Sequence, residues 1–343
     1  MPAQMRCLQI DEWGGELRLA ERPVPEPGPT DVLVEVEATS VGRSVANVVA
    51  GNMNDDPAHL PRIPGHELVG TVVEAGEGVT HVEAGDSVTA FFHIACGHCR
   101  YCQAGFDPLC ENHAGWISAH TDGGYAEYAT LPAGNAIPLP DGLDPVEATV
   151  VPDAVATPYH VANYSGGVEP GDDVLVLGAG GGVGIHMVQV ARYFGGEVTA
   201  VDIDDEKLAE CGRLGAKATV NAAETELASA VDGRFDVVVD FVGDTDLLEA
   251  AVGLLGPHGR LVNLTTFPGR SIELAPRTTV INEIQVVGSR YCSKYELRRA
   301  AELVAAGEVE PVISEVVDFS GVADLLDRIV ENEVLGRGAM VPE

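Results

Sequence analysis

The stretch from Val174 to Gly184, VLVLGAGGGVG, limits the possible folds of this chain more than any other. Four consecutive apolar residues run into five glycines within seven positions, and an apolar-periodic stretch from Ile185 to Phe194 follows without a break. This reads as strand, tight turn and helix. Glycines are required there because a side chain would block the turn, or hold the backbone away from a pyrophosphate resting on the free N–H groups at the helix start. Gly178, Gly180, Gly181, Gly182, Val183 and Gly184 are therefore the candidate phosphate contacts. A βα turn that binds nothing is the plain alternative, and the next strand argues against it. Val198 to Asp202, VTAVD, ends in an acid about twenty residues past the glycines, where the two ribose hydroxyls of a dinucleotide would be held.

Asp202 also selects the cofactor. Its carboxylate would accept hydrogen bonds from an adenosine ribose and repel a 2′-phosphate, and Ile203, Asp204 and Asp205 supply no cation to neutralise one. This favours NAD over NADP. The competing role for Asp202 is a cap on the following helix, for which Asp204 is the better candidate.

A chain of 343 residues, 45% of them apolar, can bury two cores, which points to two domains and excludes a disordered or collagen-like class. Acidic residues number 53 against 20 basic ones, for a net charge of -33, and Lys207, Lys217 and Lys294 are the only lysines. Molar salt, which shortens the Debye length to about 3 Å, makes such self-repulsion tolerable. We read a halophile's solvated acidic surface. The acids are spread along the chain and form no tail, which counts against a dedicated basic partner, and nucleic acid is excluded as a partner by the sign of the charge. No secretory leader pattern and no run of eighteen apolar residues occurs, so a cytoplasmic chain that neither enters nor binds a membrane is expected.

The seven cysteines are unevenly placed. Cys96, Cys99, Cys102 and Cys110 cluster, while Cys7, Cys211 and Cys292 stand alone. Three thiolates at two-residue spacing can turn around one ion and the fourth completes a tetrahedron, which suits a structural zinc with no open position; an iron–sulfur cluster or free thiols are the alternatives. The lobe spans residues 93–113.

Residues 1 to about 40 alternate in strand fashion between proline and glycine turns, and further short strands are expected at Thr71–Glu74 and Asp86–Phe92. Helices are expected over 141–151 and 153–163. From there strands near 218–221, 235–240, 260–264 and 284–288 alternate with helices near 204–214, 224–231 and 244–254, the spacing of a doubly wound parallel sheet. Helices over 295–306 and 322–331 and a strand at 339–341 would return to the first domain. The fold class is α/β, with residues 1–155 and 290–343 forming a β-rich domain and 156–289 the nucleotide domain.

Five motifs in order, Gly65-His66-Glu67, the four-cysteine lobe, GGYAEY at Gly123 to Tyr128, GAGGGVG with Asp202, and INEIQVVGS at Ile281 to Ser289, resemble the medium-chain dehydrogenase/reductase family in its zinc-containing alcohol dehydrogenase branch. The resemblance covers essentially the whole chain. It implies a GroES-like catalytic domain, a Rossmann domain and a homodimer or homotetramer acting on a small alcohol or carbonyl. It further implies that Thr157 faces the nicotinamide, that Arg43 and Arg337 approach the pyrophosphate, and that Ser44 relays the proton. In that family a catalytic zinc is held by an early cysteine, the histidine of GHE and a cysteine or acid before the Rossmann domain. His66 and Asp153 match, and Glu67 and water would complete a hard, oxygen-rich set. The cysteine is missing: Gly42 offers no ligand atom, Val45 replaces the expected acid, and Asn47 stands where an outer-relay histidine would. The leading expectation is thus an NAD-dependent alcohol, sugar or polyol dehydrogenase with a structural zinc and an atypical or absent catalytic zinc. Two alternatives remain open, a zinc-independent enoyl or quinone reductase of the same superfamily and a catalytically decayed NAD-binding protein. His93 and His120 are further histidines of interest, although a lone histidine is more often structural.

Overall fold

In the computed structural model, which describes residues 2–231, 233–266 and 270–342, the chain divides into two compact units. One comprises Met1–Asp153, Cys292–Ala306 and Ile313–Glu343, the other Ala154–Tyr291 and Gly307–Val312.

The second unit is built on six parallel strands in the spatial order Ala218–Asn221, Glu197–Asp202, Asp173–Leu177, Phe235–Asp240, Leu255–Asn263 and Gln285–Gly288. Val174 to Leu177 and Val237 to Val239 are fully buried, because helices cover both faces of a parallel sheet and leave no polar side. The order reverses beside Asp173–Leu177, which puts the glycine turn at the switch point, the place where open α/β sheets bind ligands. Gly178 sits at φ +75°, and a Cβ on Gly184 would stand 2.1 Å from the Gly178 carbonyl oxygen. Strand and helix can therefore pack this closely only with glycine at both positions.

The first unit carries a seven-stranded sheet organised on Asp31–Val41. This strand pairs along one edge with Leu68–Ala75 and along the other with Tyr128–Pro132 over its first half and Arg337–Met340 at its end, all antiparallel. Ser87–Ala90 and Ala136–Pro138 extend the sheet on one side, and Ile313–Val317 adds to Arg337–Met340 in parallel on the other.

Three expectations need correction. Residues 307–312, grouped by sequence with the first domain, pack with the second unit. The Gln189 amide pairs with the Glu310 backbone in both directions, at 2.8 and 2.9 Å, and the Val312 N–H donates to His186 Nε2 at 3.1 Å. The helix expected over 153–163 is regular only at Ala156–His160, with wider turns at Val151–Val155 and Val161–Ser165, where Gly166 N–H reaches back five residues to Val161. Pro152 and Pro158 supply no N–H for the ordinary pattern. The helix expected over 141–151 shortens to Pro145–Ala148, started by Asp144, whose carboxylate accepts from the Val146 and Glu147 N–H groups.

Candidate functional site

The glycine turn is fastened to the strand beside it. Gly178 and Ala179 N–H both donate to the Val201 carbonyl at 2.9 Å, while Gly180 N–H donates to Asp202 Oδ2 and Ile203 N–H to Asp202 Oδ1, each at 2.8 Å. Asp202 is thus oriented by two backbone donors at the end of its strand and stays half-buried. Capping falls to Asp204, which accepts from the N–H groups of Glu206 and Lys207. The structure adds a residue missed in the sequence: Lys207, one of three lysines, is buried with its Cβ 2.4 Å from where a Cβ on Gly180 would stand. Helical spacing from the Asp204 cap was the available signal. Thr157 is buried in Ala156–His160 of the same unit.

The four clustered cysteines of the first unit converge. Sulfur–sulfur distances are 3.5 Å for Cys99–Cys102 and 4.0 Å for Cys96–Cys102 and Cys99–Cys110. A tetrahedral zinc with sulfur bonds of about 2.3 Å places its ligands roughly 3.8 Å apart, so the donor set fits that ion. Backbone N–H groups of Cys96, Cys99 and Asn112 point at the sulfurs at 3.2 to 3.4 Å. Such donors favour thiolate, and the Cys96 thiol is lowered to about 6, chiefly by the backbone N–H of His98. All seven cysteines are free of disulfides. Nearby, His93 Nδ1 accepts from Trp116 Nε1–H at 2.9 Å and faces His113 Nε2 at 3.1 Å, while His120 Nδ1 accepts from Trp116 N–H. These histidines are held in a ring network.

A second cluster joins residues far apart in the chain. His66, Glu67 and Asp153 each offer a ligand atom within 4.8 Å of the others, with His66 Nε2 3.6 Å from Asp153 Oδ2 and the His66 ring edge-on to Phe92. Strand register brings Arg337 to them. Gly338 pairs with Val41, Ala339 with Ser40 and Met340 with Thr39, so Arg337 falls opposite Gly42; Thr39 also pairs with Leu68, which puts Glu67 beside Ser40. Arg337 Nη2 donates to Glu67 Oε1 at 2.7 Å and lies 3.7 Å from Asp153 Oδ2. Glu67 is fully buried and Arg337 is 3% exposed. Burial raises the Glu67 carboxyl above its ordinary range, and the charges of Arg337 and His66 pull it back.

This donor set suits a divalent ion less well than the cysteines do. A metal on Glu67 Oε1 would stand within about 5 Å of Arg337 Nη2, given oxygen bonds near 2 Å. At an effective dielectric of 20 the repulsion is roughly 7 kcal/mol, which offsets part of the attraction of the two carboxylates. Arg337 therefore competes with a metal for Glu67.

The remaining residues implied by the resemblance lie apart from this contact. Ser44 is half-buried in the first turn of the helix Arg43–Val49. Val45 is fully buried in an apolar cluster with Val41, Ile63 and Leu325, and Asn47 is exposed, so neither position offers a titratable relay. The Arg43 guanidinium donates to the carbonyls of Ile329 and Val330 and to Asn332 Oδ1.

An alcohol dehydrogenase GroES-like domain matches residues 28–141, and a zinc-binding dehydrogenase domain matches residues 182–306. The chain is similar to an alcohol dehydrogenase of Moraxella sp. (strain TAE123), at 33% identity over 338 residues that cover 97% of this chain and 98% of that protein. It is also similar to an acryloyl-coenzyme A reductase of Sulfurisphaera tokodaii, at 28% identity with 95% and 96% covered. The cobalt- and zinc-bound structure of a thermostable alcohol dehydrogenase from Pyrobaculum aerophilum superposes with a TM-score of 0.90 at 34% identity, over 99% of this chain and 100% of that one. Two domain matches in the order of the two units, with relatives aligned end to end, make the chain an oxidoreductase of the zinc-binding alcohol dehydrogenase family, within the medium-chain dehydrogenase/reductase superfamily.

Proposed function

We propose that the chain is an NAD-dependent oxidoreductase that moves a hydride between the nicotinamide and the carbon of an alcohol or carbonyl group. The observation that carries this is Asp202, whose two oxygens are aimed by the Gly180 and Ile203 N–H groups at the end of the second strand, ready to accept from a ribose diol. The pyrophosphate would rest on the turn Gly178, Gly180, Gly181, Gly182, Val183 and Gly184, Thr157 would face the nicotinamide, and Arg43 would add a cationic contact to the phosphates. NAD bound there would accept a hydride from the alcohol carbon, while the alcohol oxygen would give up a proton and leave a carbonyl. His66 and Asp153 would orient that oxygen and Ser44 Oγ would carry the proton. Zinc in the Cys96, Cys99, Cys102 and Cys110 lobe would staple a loop and take no part in the reaction.

A second reading is favoured by one observation, the guanidinium seated beside Gly42. A fixed monovalent cation steadies an oxyanion produced by hydride addition but lowers the pKa of a bound alcohol less than a divalent metal does. This suits reduction of a double bond conjugated to a carbonyl, the chemistry named for the Sulfurisphaera relative. NADH oxidation in molar potassium chloride, with aldehydes and ketones in one panel and α,β-unsaturated thioesters in another, separates the two. Turnover confined to the second panel replaces the first reading, and turnover in neither defeats both.

Two further features belong to this proposal. The net charge of -33 suits a saline cytoplasm. Gln285–Gly288 is an edge strand with Val286 exposed, and Val280 and Ile281 are exposed on the preceding helix, which suits pairing with a second copy. Light scattering should return twice the chain mass or more, and a monomer would refute the pairing. Asp202→Ala should narrow the preference for NAD over NADP by about tenfold or more, one bidentate contact's worth, with Lys207 left beside any 2′-phosphate. Equal loss with both cofactors would mean that Asp202 only supports the turn.

A further inference from the structure

We propose that Arg337, admitted by the missing side chain of Gly42, is the permanent cation of the His66–Glu67–Asp153 cluster and keeps a divalent metal out of it. The inference rests on reading this cluster as the reacting site of the proposed oxidoreductase.

The glycine is the first support. Gly42 has φ -149° and ψ 168°, extended backbone that any residue adopts, so its conformation does not call for glycine. Its space does. A Cβ at this position would stand 1.8 Å from Arg337 Nη1 and 3.1 Å from Cζ, far inside any real contact. Any side chain at residue 42, a metal-binding cysteine included, is incompatible with the guanidinium where it lies.

Charge is the second support. Glu67 is fully buried 2.7 Å from Nη2, and Asp153 Oδ2 lies 3.7 Å from the same nitrogen. A buried carboxylate needs a cation or a proton, and here the cation comes from the chain itself. A metal on Glu67 Oε1 would displace Arg337 or share that oxygen at close range with a positive group, and one on Oε2 would bind a carboxylate already paired with that cation. The third support is what remains unpaired. Glu67 Oε2 has no hydrogen-bond partner within 3.5 Å among the described residues and lies 3.7 Å from the space above Gly42. The space left by the missing side chain is thus filled by a guanidinium with a carboxylate oxygen beside it, a protein ion pair in place of a ligand shell.

Zinc content and thermal melting test this without any turnover. The full chain, purified in molar potassium chloride with zinc and then desalted, should carry one zinc, lost in Cys99→Ser, and further zinc or cobalt should not shift its melting temperature. Arg337→Ala should gain a second ion and a metal-dependent rise in melting temperature, with weak cobalt absorption bands unlike the intense thiolate bands of the cysteine lobe. Arg337→Lys should stay at one ion, showing that positive charge is what matters. Two ions in the unaltered chain, the second lost in His66→Ala, would overturn the inference. So would an Arg337→Ala chain that keeps its lobe zinc, melts cooperatively and takes no second ion. If Arg337→Ala does not fold, Gly42→Cys with Arg337→Gly answers the same question, with a second ion expected and its absence overturning. An enzyme with two ions that oxidises alcohols refutes this inference and leaves the proposed function standing. One ion with no turnover on any substrate does the reverse.

Discussion

The first unit contains two clusters of metal-type residues that solve one electrostatic problem differently. In the lobe, sulfurs lie 3.5 to 4.0 Å apart in the pairs Cys99–Cys102, Cys96–Cys102 and Cys99–Cys110, and backbone N–H groups together with the Asn112 side-chain amide are aimed at them. Lys294 is close enough to Cys102 for their charges to interact, and a bound zinc would supply the larger countercharge. At His66, Glu67 and Asp153, a guanidinium already lies 2.7 Å from the buried carboxylate. The comparison teaches that converging ligand atoms alone do not define a metal site. What matters equally is whether the fold brings its own countercharge.

The largest expected effect is on the lobe. Cys99→Ser should release zinc and cost on the order of 3–5 kcal/mol, read as a fall in melting temperature, because the ion's binding energy is part of folding. A strong chelator should reproduce that loss in the unaltered chain and leave the second cluster untouched. An unchanged melting temperature after zinc removal would break the comparison at its first term. Next comes Arg337→Ala in zinc-free buffer, which strands a buried carboxylate at a cost of about 3–5 kcal/mol in chemical denaturation. A loss under 1 kcal/mol would mean that Glu67 does not depend on its partner. Gly42→Ala should cost about 1–3 kcal/mol through overpacking, although its backbone angles accept alanine freely. A neutral result would show that the guanidinium can move aside. A surface cap outside both clusters sets the floor. The Asp318 carboxyl is held below its usual value of 3.8 by the Ser320 hydroxyl and N–H, so the stability it gives is present above that pH and is lost as the pH falls through the lowered value. Asp318→Asn should flatten the acid limb of the stability profile slightly, and a steeper limb would count against the capping role.

Much of this was legible because it is local. The strand, glycine turn and helix at Val174 to Phe194 and the cysteine lobe are written in neighbouring residues, where spacing alone fixes what can meet. The departure at Gly42 was equally visible as a missing ligand. What filled the gap was not, since Gly42 and Arg337 meet only through the pairing of Arg337–Met340 with Asp31–Val41, and no periodicity in either strand announces that register. The excursion of Gly307–Val312 was hidden for the same reason: it depends on the side chains of His186 and Gln189, more than a hundred residues earlier. The interrupted helix around Asp153 could have been anticipated from Pro152 and Pro158.

The strand Arg337–Met340 has a consequence for the order of events during synthesis. Glu67 and its partner are 270 residues apart in the chain. As the polypeptide leaves the ribosome, all six strands of the second unit's sheet emerge by Gly288 and its last segment by Val312, while the first unit still lacks the strands Ile313–Val317 and Arg337–Met340 and, with the latter, the arginine paired with its buried acid. The middle of the chain is therefore complete before the beginning can close. Until Arg337 arrives, Glu67 must remain hydrated or take up a proton, and a nascent chain stopped short of Arg337 should be a folded second unit joined to an open first unit.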